Sequence, residues 1–172
     1  MPQIIIREGT REDIEATLRA KLEIHRECYP FRGEEVFSLV ERGIPKDVMF
    51  WEAGMELGMR FHVALDGDRV VGMSGARPGQ AEEGESAPLA ETELQVLYLH
   101  EDYRGRGTAD LLLAAAVGRL PAYLWVLEGN DRAIAFYEKH GFRRTGEREQ
   151  LDETWDNRFE LRMLRQGSAE GA

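Results

Sequence analysis

Apolar positions recur along this chain at two spacings, and the alternation between them divides it into elements. Ile4-Ile5-Ile6-Arg7 is a short β-rich run closed by Gly9, which predicts a first strand. Thr10 then precedes Arg11-Glu12-Asp13 as an N-cap does, and Ile14, Leu18 and Leu22 follow at i, i+4, i+8, one buried stripe of a helix that Tyr29-Pro30 stops. Residues 34–41 and 46–59 predict two further helical stretches around Gly43 and Pro45. Phe31, Met49, Phe50, Trp51, Met55 and Met59 there are assigned to core packing. Residues 61–65 and 70–74 flank Asp66-Gly67-Asp68 and predict a hairpin. Residues 79–90 have no periodicity and read as a long, unstructured surface loop.

The second half is more regular. A strand over 93–99 runs into a glycine segment, and a helix over 109–119 ends before Pro121. A strand over 123–127, a helix over 131–140 stopped by Gly141, and strands over 142–147 and 159–165 complete it, with 167–172 as a frayed tail. Strand, glycine loop, helix, strand places a parallel pair in the middle of an α/β or α+β fold. At 172 residues the chain predicts one domain over 1–166.

Charge narrows the chemistry. With 32 acidic and 22 basic residues the net charge is −10, which disfavours a nucleic-acid partner. The single cysteine, Cys28, permits no internal disulfide. The start has no basic region followed by an apolar stretch, and the apolar run 111–117 is far short of the about 20 residues of a membrane span, so the expectation is a cytoplasmic protein with no membrane partner. Neither Cys28 nor His25, His62, His100 and His140 shows metal-ligand spacing, and no metal is expected.

The exception to the acidic surface is Arg104-Gly105-Arg106-Gly107-Thr108-Ala109. A strand entering Gly-x-Gly and then a helix offers free backbone N–H groups and the positive end of a helix dipole to an anion. The segment is not a Rossmann fingerprint, because Asp110 stands where the third glycine belongs, and it lacks the Gly-Lys-Ser/Thr of a P-loop. By itself it fits a surface turn as well as a phosphate cradle.

Its surroundings carry a resemblance. Arg104-x-x-Gly107-x-Ala109 resembles the Arg/Gln-x-x-Gly-x-Gly/Ala signature of the GCN5-related N-acetyltransferase (GNAT) superfamily. The run Glu93-Leu94-Gln95-Val96-Leu97-Tyr98-Leu99 is similar to that family's central strand, and residues 130–142 (Asn130 to Phe142) to its second motif. The resemblance implies a mixed, mostly antiparallel sheet with a central parallel strand pair and flanking helices. It implies acetyl-CoA as acetyl donor, its pyrophosphate on Arg104, Gly105, Arg106, Gly107, Thr108 and Ala109, and its pantetheine arm along the backbone of Val96, Leu97, Tyr98 and Leu99. A bulge in the central strand and an oxyanion-stabilising N–H near Leu97 are implied as well. Tyr137 matches the tyrosine that protonates the leaving thiolate, with core packing as the alternative. Asn130 contacts the cofactor, caps its helix, or both. Glu93 is the candidate general base, with an exposed strand carboxylate as the alternative. The acceptor is a small-molecule amine or a peptide amine (a protein N-terminus or lysine), and a non-catalytic acyl-CoA sensor is the reading from another class. A homodimer is compatible with the family.

Overall fold

The computed structural model describes residues 3–167. Its elements are β1 (Ile4–Glu8), α1 (Ile14–Cys28), α2 (Gly33–Glu56), β2 (Arg60–Asp66), β3 (Arg69–Pro78), β4 (Thr92–Leu99), α3 (Thr108–Val117), β5 (Ala122–Leu127), α4 (Asp131–Lys139), β6 (Arg143–Gln150) and β7 (Phe159–Arg165). The strands form one seven-stranded sheet in the order β1-β2-β3-β4-β5-β7-β6. Every neighbouring pair is antiparallel except β4 and β5. This is the mixed sheet with a central parallel pair that the motif order predicts.

Helices cover both faces. The α1 stripe Ile14, Leu18, Leu22 is buried as its spacing requires, packing with α2 on Phe61, Val63 and Met73. On the opposite face Leu112 and Leu113 of α3, with Ile134 and Tyr137 of α4, pack on strands from β2 to β7. The entry to α1 is fixed locally: the Asp13 carboxylate accepts from the Thr10 N–H at 2.8 Å and from both arms of Arg7 at 2.7 and 2.8 Å.

Tertiary packing overrides sequence punctuation in three places. The two expected helices around Gly43 and Pro45 are one, α2, with Pro45 inside it. Phe37, Val40, Ile44, Val48, Trp51 and Met55 run through the proline at spacings of three and four, so one continuous apolar face is buried on α1 and the sheet and outweighs the missing N–H. Met49 and Phe50, expected in the core, are 69% and 60% exposed, since they fall between those stripe positions. The 79–91 segment is not a free loop. Glu85 pairs with Arg162 of β7, and the Gln80 N–H donates to the Tyr123 hydroxyl at 2.9 Å. The expected tail 167–172 lies, beyond Gly167, outside the described residues.

Candidate active site

β4 and β5 pair only where Glu93 faces Tyr123 and Leu94 faces Leu124. Beyond Leu94 they part. The cause is on the other side of β4, where Gly75 pairs with Val96 but Ala76 pairs with Leu94, leaving Gln95 as the extra residue of a bulge. A bulge bends a strand and increases its twist. Gly75 permits the close approach, because a Cβ there would stand 2.8 Å from Val96 Cγ2. Main-chain groups of β4 beyond Leu94 that face β5 therefore have no strand partner. A cavity of about 1330 Å³ fills the gap, bordered by Val96, Leu97, Tyr98 and Leu99 on one side and by Val126 and Leu127 on the other.

At one end of the cavity stands the glycine segment. Gly107 is the N-cap of α3 with φ +81°, and Gly105 has φ +73°, left-handed conformations that a side chain would strain. The first backbone bonds after the turn run from Arg104 N–H to Glu101 and from Leu111 N–H to Gly107. The amides between them, from Gly105 to Asp110, have no backbone acceptor among the described residues, and they crown the positive end of α3. The Arg104 side chain turns away from them: its guanidinium donates to the Leu99 carbonyl at 3.0 Å and lies 3.0 Å from Cys28 Sγ. Arg104 thus ties the end of β4 to the end of α1, while backbone is left to meet an anion. Gly105, Gly107 and Ala109 border the cavity; Arg106 is exposed outside it, and Thr108 is buried in the first turn of α3. Arg132 of α4 also borders the cavity and supplies cationic charge beyond the two arginines of the motif, while Lys139, on the same border, is paired with Asp110 at 3.0 Å.

α4 presents two more of the expected residues. Asn130 accepts from Ala133 N–H at 3.2 Å, which is N-cap geometry, and borders the cavity as well. Tyr137 packs edge-on against Phe136 and Phe142 and is 8% exposed, so the packing expectation is met. Its hydroxyl nevertheless has no hydrogen-bond partner among the described residues, and the side chain borders the cavity. Burial pushes the phenol well above its usual range, so it is protonated at neutral pH.

Acidic and aromatic side chains complete the lining. Glu93 is buried there, its carboxylate accepting from Arg77 Nε at 2.8 Å and from the Tyr123 hydroxyl at 3.2 Å. Tyr29 and Phe31 at the α1–α2 junction, and Trp155 and Arg158 in the 151–158 connection, form the wall. These two connections meet: Arg32 donates to the Thr154 carbonyl at 2.9 Å and stacks over Trp155 at 4.0 Å, while Arg158 stacks over Phe31 at 3.7 Å. Trp155 and Glu160, which also borders the cavity, carry no local sequence signal, because they reach the site only through the β6–β7 return.

The sheet is open at its one parallel strand pair, with unpaired amides at one end of the gap and the Tyr137 phenol bordering it. The family model described as an acetyltransferase (GNAT) domain matches residues 58–144, half of the chain, and the chain belongs to the GNAT family of acetyl-CoA-dependent N-acetyltransferases. Solved structures agree in fold. PH1933 from Pyrococcus horikoshii OT3 is 20% identical with a TM-score of 0.70, covering 96% of this chain and 99% of its own. The PaiA N-acetyltransferase from Thermoplasma acidophilum, in complex with coenzyme A, is 23% identical with a TM-score of 0.68, covering 95% and 99%. YncA from Salmonella typhimurium, with its cofactor acetyl-CoA, is 16% identical with a TM-score of 0.67, covering 99% and 97%. No curated protein matches the sequence. Among the described residues no helix is long and apolar enough to cross a membrane.

Proposed function

We propose that the protein moves an acetyl group from acetyl-CoA to a primary amine of a small molecule by direct attack, with Tyr137 as general acid. The donor's pyrophosphate rests on the free amides from Gly105 to Asp110, and its pantetheine arm follows β4 along Val96, Leu97, Tyr98 and Leu99. Arg106 and Thr108 contribute through backbone alone, and Asn130 holds the start of α4 against the cofactor. A backbone N–H near Leu97 stabilises the tetrahedral oxyanion. The departing thiolate takes the Tyr137 proton, which burial keeps on the phenol until it is needed. The one continuous sheet supports reading the described chain as a single catalytic domain.

The observation that favours the small-molecule reading is the contact between two connections that line the cavity. Arg32–Thr154 and Arg158–Phe31 join the α1–α2 junction to the 151–158 connection, and a joined pair of connections leaves an extended peptide less of an open groove. The test is release of free thiol from acetyl-CoA across polyamines, aminoglycosides, amino acids and short peptides. Turnover of a small amine at a kcat/KM at least tenfold above every peptide supports the reading. Preference for peptides would replace it with protein acetylation, and binding of acetyl-CoA with no release on any acceptor would make the protein a sensor.

A further inference from the structure

Among the carboxylates that line the cavity, Glu128 is paired with Arg148, and Glu93 and Glu160 differ in their surroundings. Glu93 is anchored through one oxygen. Arg77 forms an ion pair with its Oε2 at 2.8 Å and Tyr123 donates to the same oxygen at 3.2 Å, so structural partners fix the carboxylate in place. Glu160 borders the same cavity half-buried, and its carboxylate has no hydrogen-bond or ion-pair partner among the described residues.

We propose that Glu160, and not Glu93, is the base that takes the proton from the acceptor amine. The assignment rests on the acetyl-transfer reading and adds a catalytic residue to it. Glu160 lies on β7 directly opposite Leu127 of β5, on the side of the sheet that Tyr123 and Trp125 share, so it faces the splayed gap from the strand next to β5. In the step, the ammonium gives one proton to the Glu160 carboxylate, which later passes it to solvent. The freed lone pair forms the C–N bond, and the C–S bond breaks. The sulfur takes its proton from Tyr137, and one of the two protons left on the attacking nitrogen returns through solvent to the phenolate, the other staying on the amide. One acetyl group moves and one proton is released overall.

The charges around Glu160 suit it to this work. Glu149 of β6 stands directly opposite it across the antiparallel pair, with Glu93 on β4 and Glu82 in the 79–91 segment also near. The cations of the same region are engaged elsewhere: Arg162 with Glu85, Arg148 with Glu128, and Arg158 with Asp156. Burial first, and then the repulsion of Glu149, Glu93 and Glu82, pushes the Glu160 carboxyl up to about 7. A base there is far better matched to an ammonium near neutral pH than an ordinary carboxylate.

The experiment combines a titration and a rate profile. In protein labelled with ¹³C at the glutamate carboxyl carbons, one resonance should titrate near 7, vanish in Glu160→Gln and move downward in Glu149→Gln. With the fastest amine of the acceptor panel, Glu160→Gln should lower kcat at least tenfold and remove the inflection near 7 from the kcat/KM profile, with acetyl-CoA affinity within about twofold. Glu93→Gln should keep an inflection, moved downward because one of the charges that repel Glu160 is gone. Glu149→Gln, at an exposed site, should lower its midpoint, and this second variant decides the matter if Glu160→Gln fails to fold. A Glu160 midpoint near 4.5, or a rate profile indifferent to Glu160→Gln, overturns the assignment while acetyl transfer stands. No thiol release with any amine overturns both.

Discussion

Arg162 of β7 and Glu85 of the 79–91 segment form a two-armed ion pair, Nη1 to Oε1 at 2.7 Å and Nη2 to Oε2 at 3.2 Å, with the guanidinium only 1% exposed. The arginine also lies over the rings of Tyr123 and Trp125, at 5.1 and 5.7 Å, on the acceptor side of the sheet. Removing its partner leaves a buried charge uncompensated. Glu85→Gln should therefore lower Tm by about 3–6 °C, read by calorimetry. It should also make the 79–91 segment more susceptible to limited proteolysis than in the parent. A variant that melts as the parent does would show that the segment is not tied down by this pair.

Gly107 tests the anion cradle. A Cβ there meets nothing within 4 Å, so the cost of Gly107→Ala is its left-handed φ and the intrusion on a bound phosphate, not a clash within the protein. We expect about 1 kcal/mol of lost stability. Coenzyme A affinity by calorimetric titration should fall by about tenfold or more. Unchanged affinity would move the pyrophosphate off this turn.

Tyr137→Phe keeps the edge-on packing with Phe136 and Phe142 and removes only the proton. Turnover should drop by about 10²-fold while acetyl-CoA affinity and Tm stay close to the parent values. Steady-state kinetics alongside a thermal melt separates this from a packing role, which would move Tm and leave turnover.

Asn130→Ala removes the acceptor of the Ala133 N–H at the start of α4. A loss of about 1 kcal/mol is expected in urea denaturation without cofactor. If Asn130 also touches the donor, saturating coenzyme A will stabilise the variant less than the parent, and an equal increment would leave it as a cap alone.

His25 gives stability a pH dependence. Burial, followed by the charges of Lys21 and Arg32, pushes the imidazole down from 6.5 to about 3, and Arg32 donates to its Nδ1 at 3.1 Å, which fixes the neutral ring. The unfolded chain binds a proton that the folded one refuses, so this contribution is complete above 6.5 and is lost as pH falls toward 3. It should be worth on the order of 5 kcal/mol across that window. Denaturation midpoints for His25→Phe should be flatter with pH there than those of the parent; equal slopes would exclude His25 as the source.

Much of this was legible from local pattern. Ile14, Leu18 and Leu22 announce their buried face because a helix repeats every 3.6 residues, and the residues from Arg104 to Ala109 announce a strand-to-helix turn because only glycine takes those dihedrals without strain. Pro45 misleads for the same reason. Its effect is local, whereas the stripe from Phe37 to Met55 that carries α2 through it has value only against α1 and the sheet.

The sequence by itself determined the order of the elements, the glycine turn and the family, since each depends on neighbours a few residues apart. Tertiary structure alone decided which carboxylate is held and which is free. Arg77 reaches Glu93 across the β3–β4 pair, and Glu160 meets Glu149, Glu93 and Glu82 from three other parts of the chain. Charge and burial act through space, and no spacing along the chain records those distances.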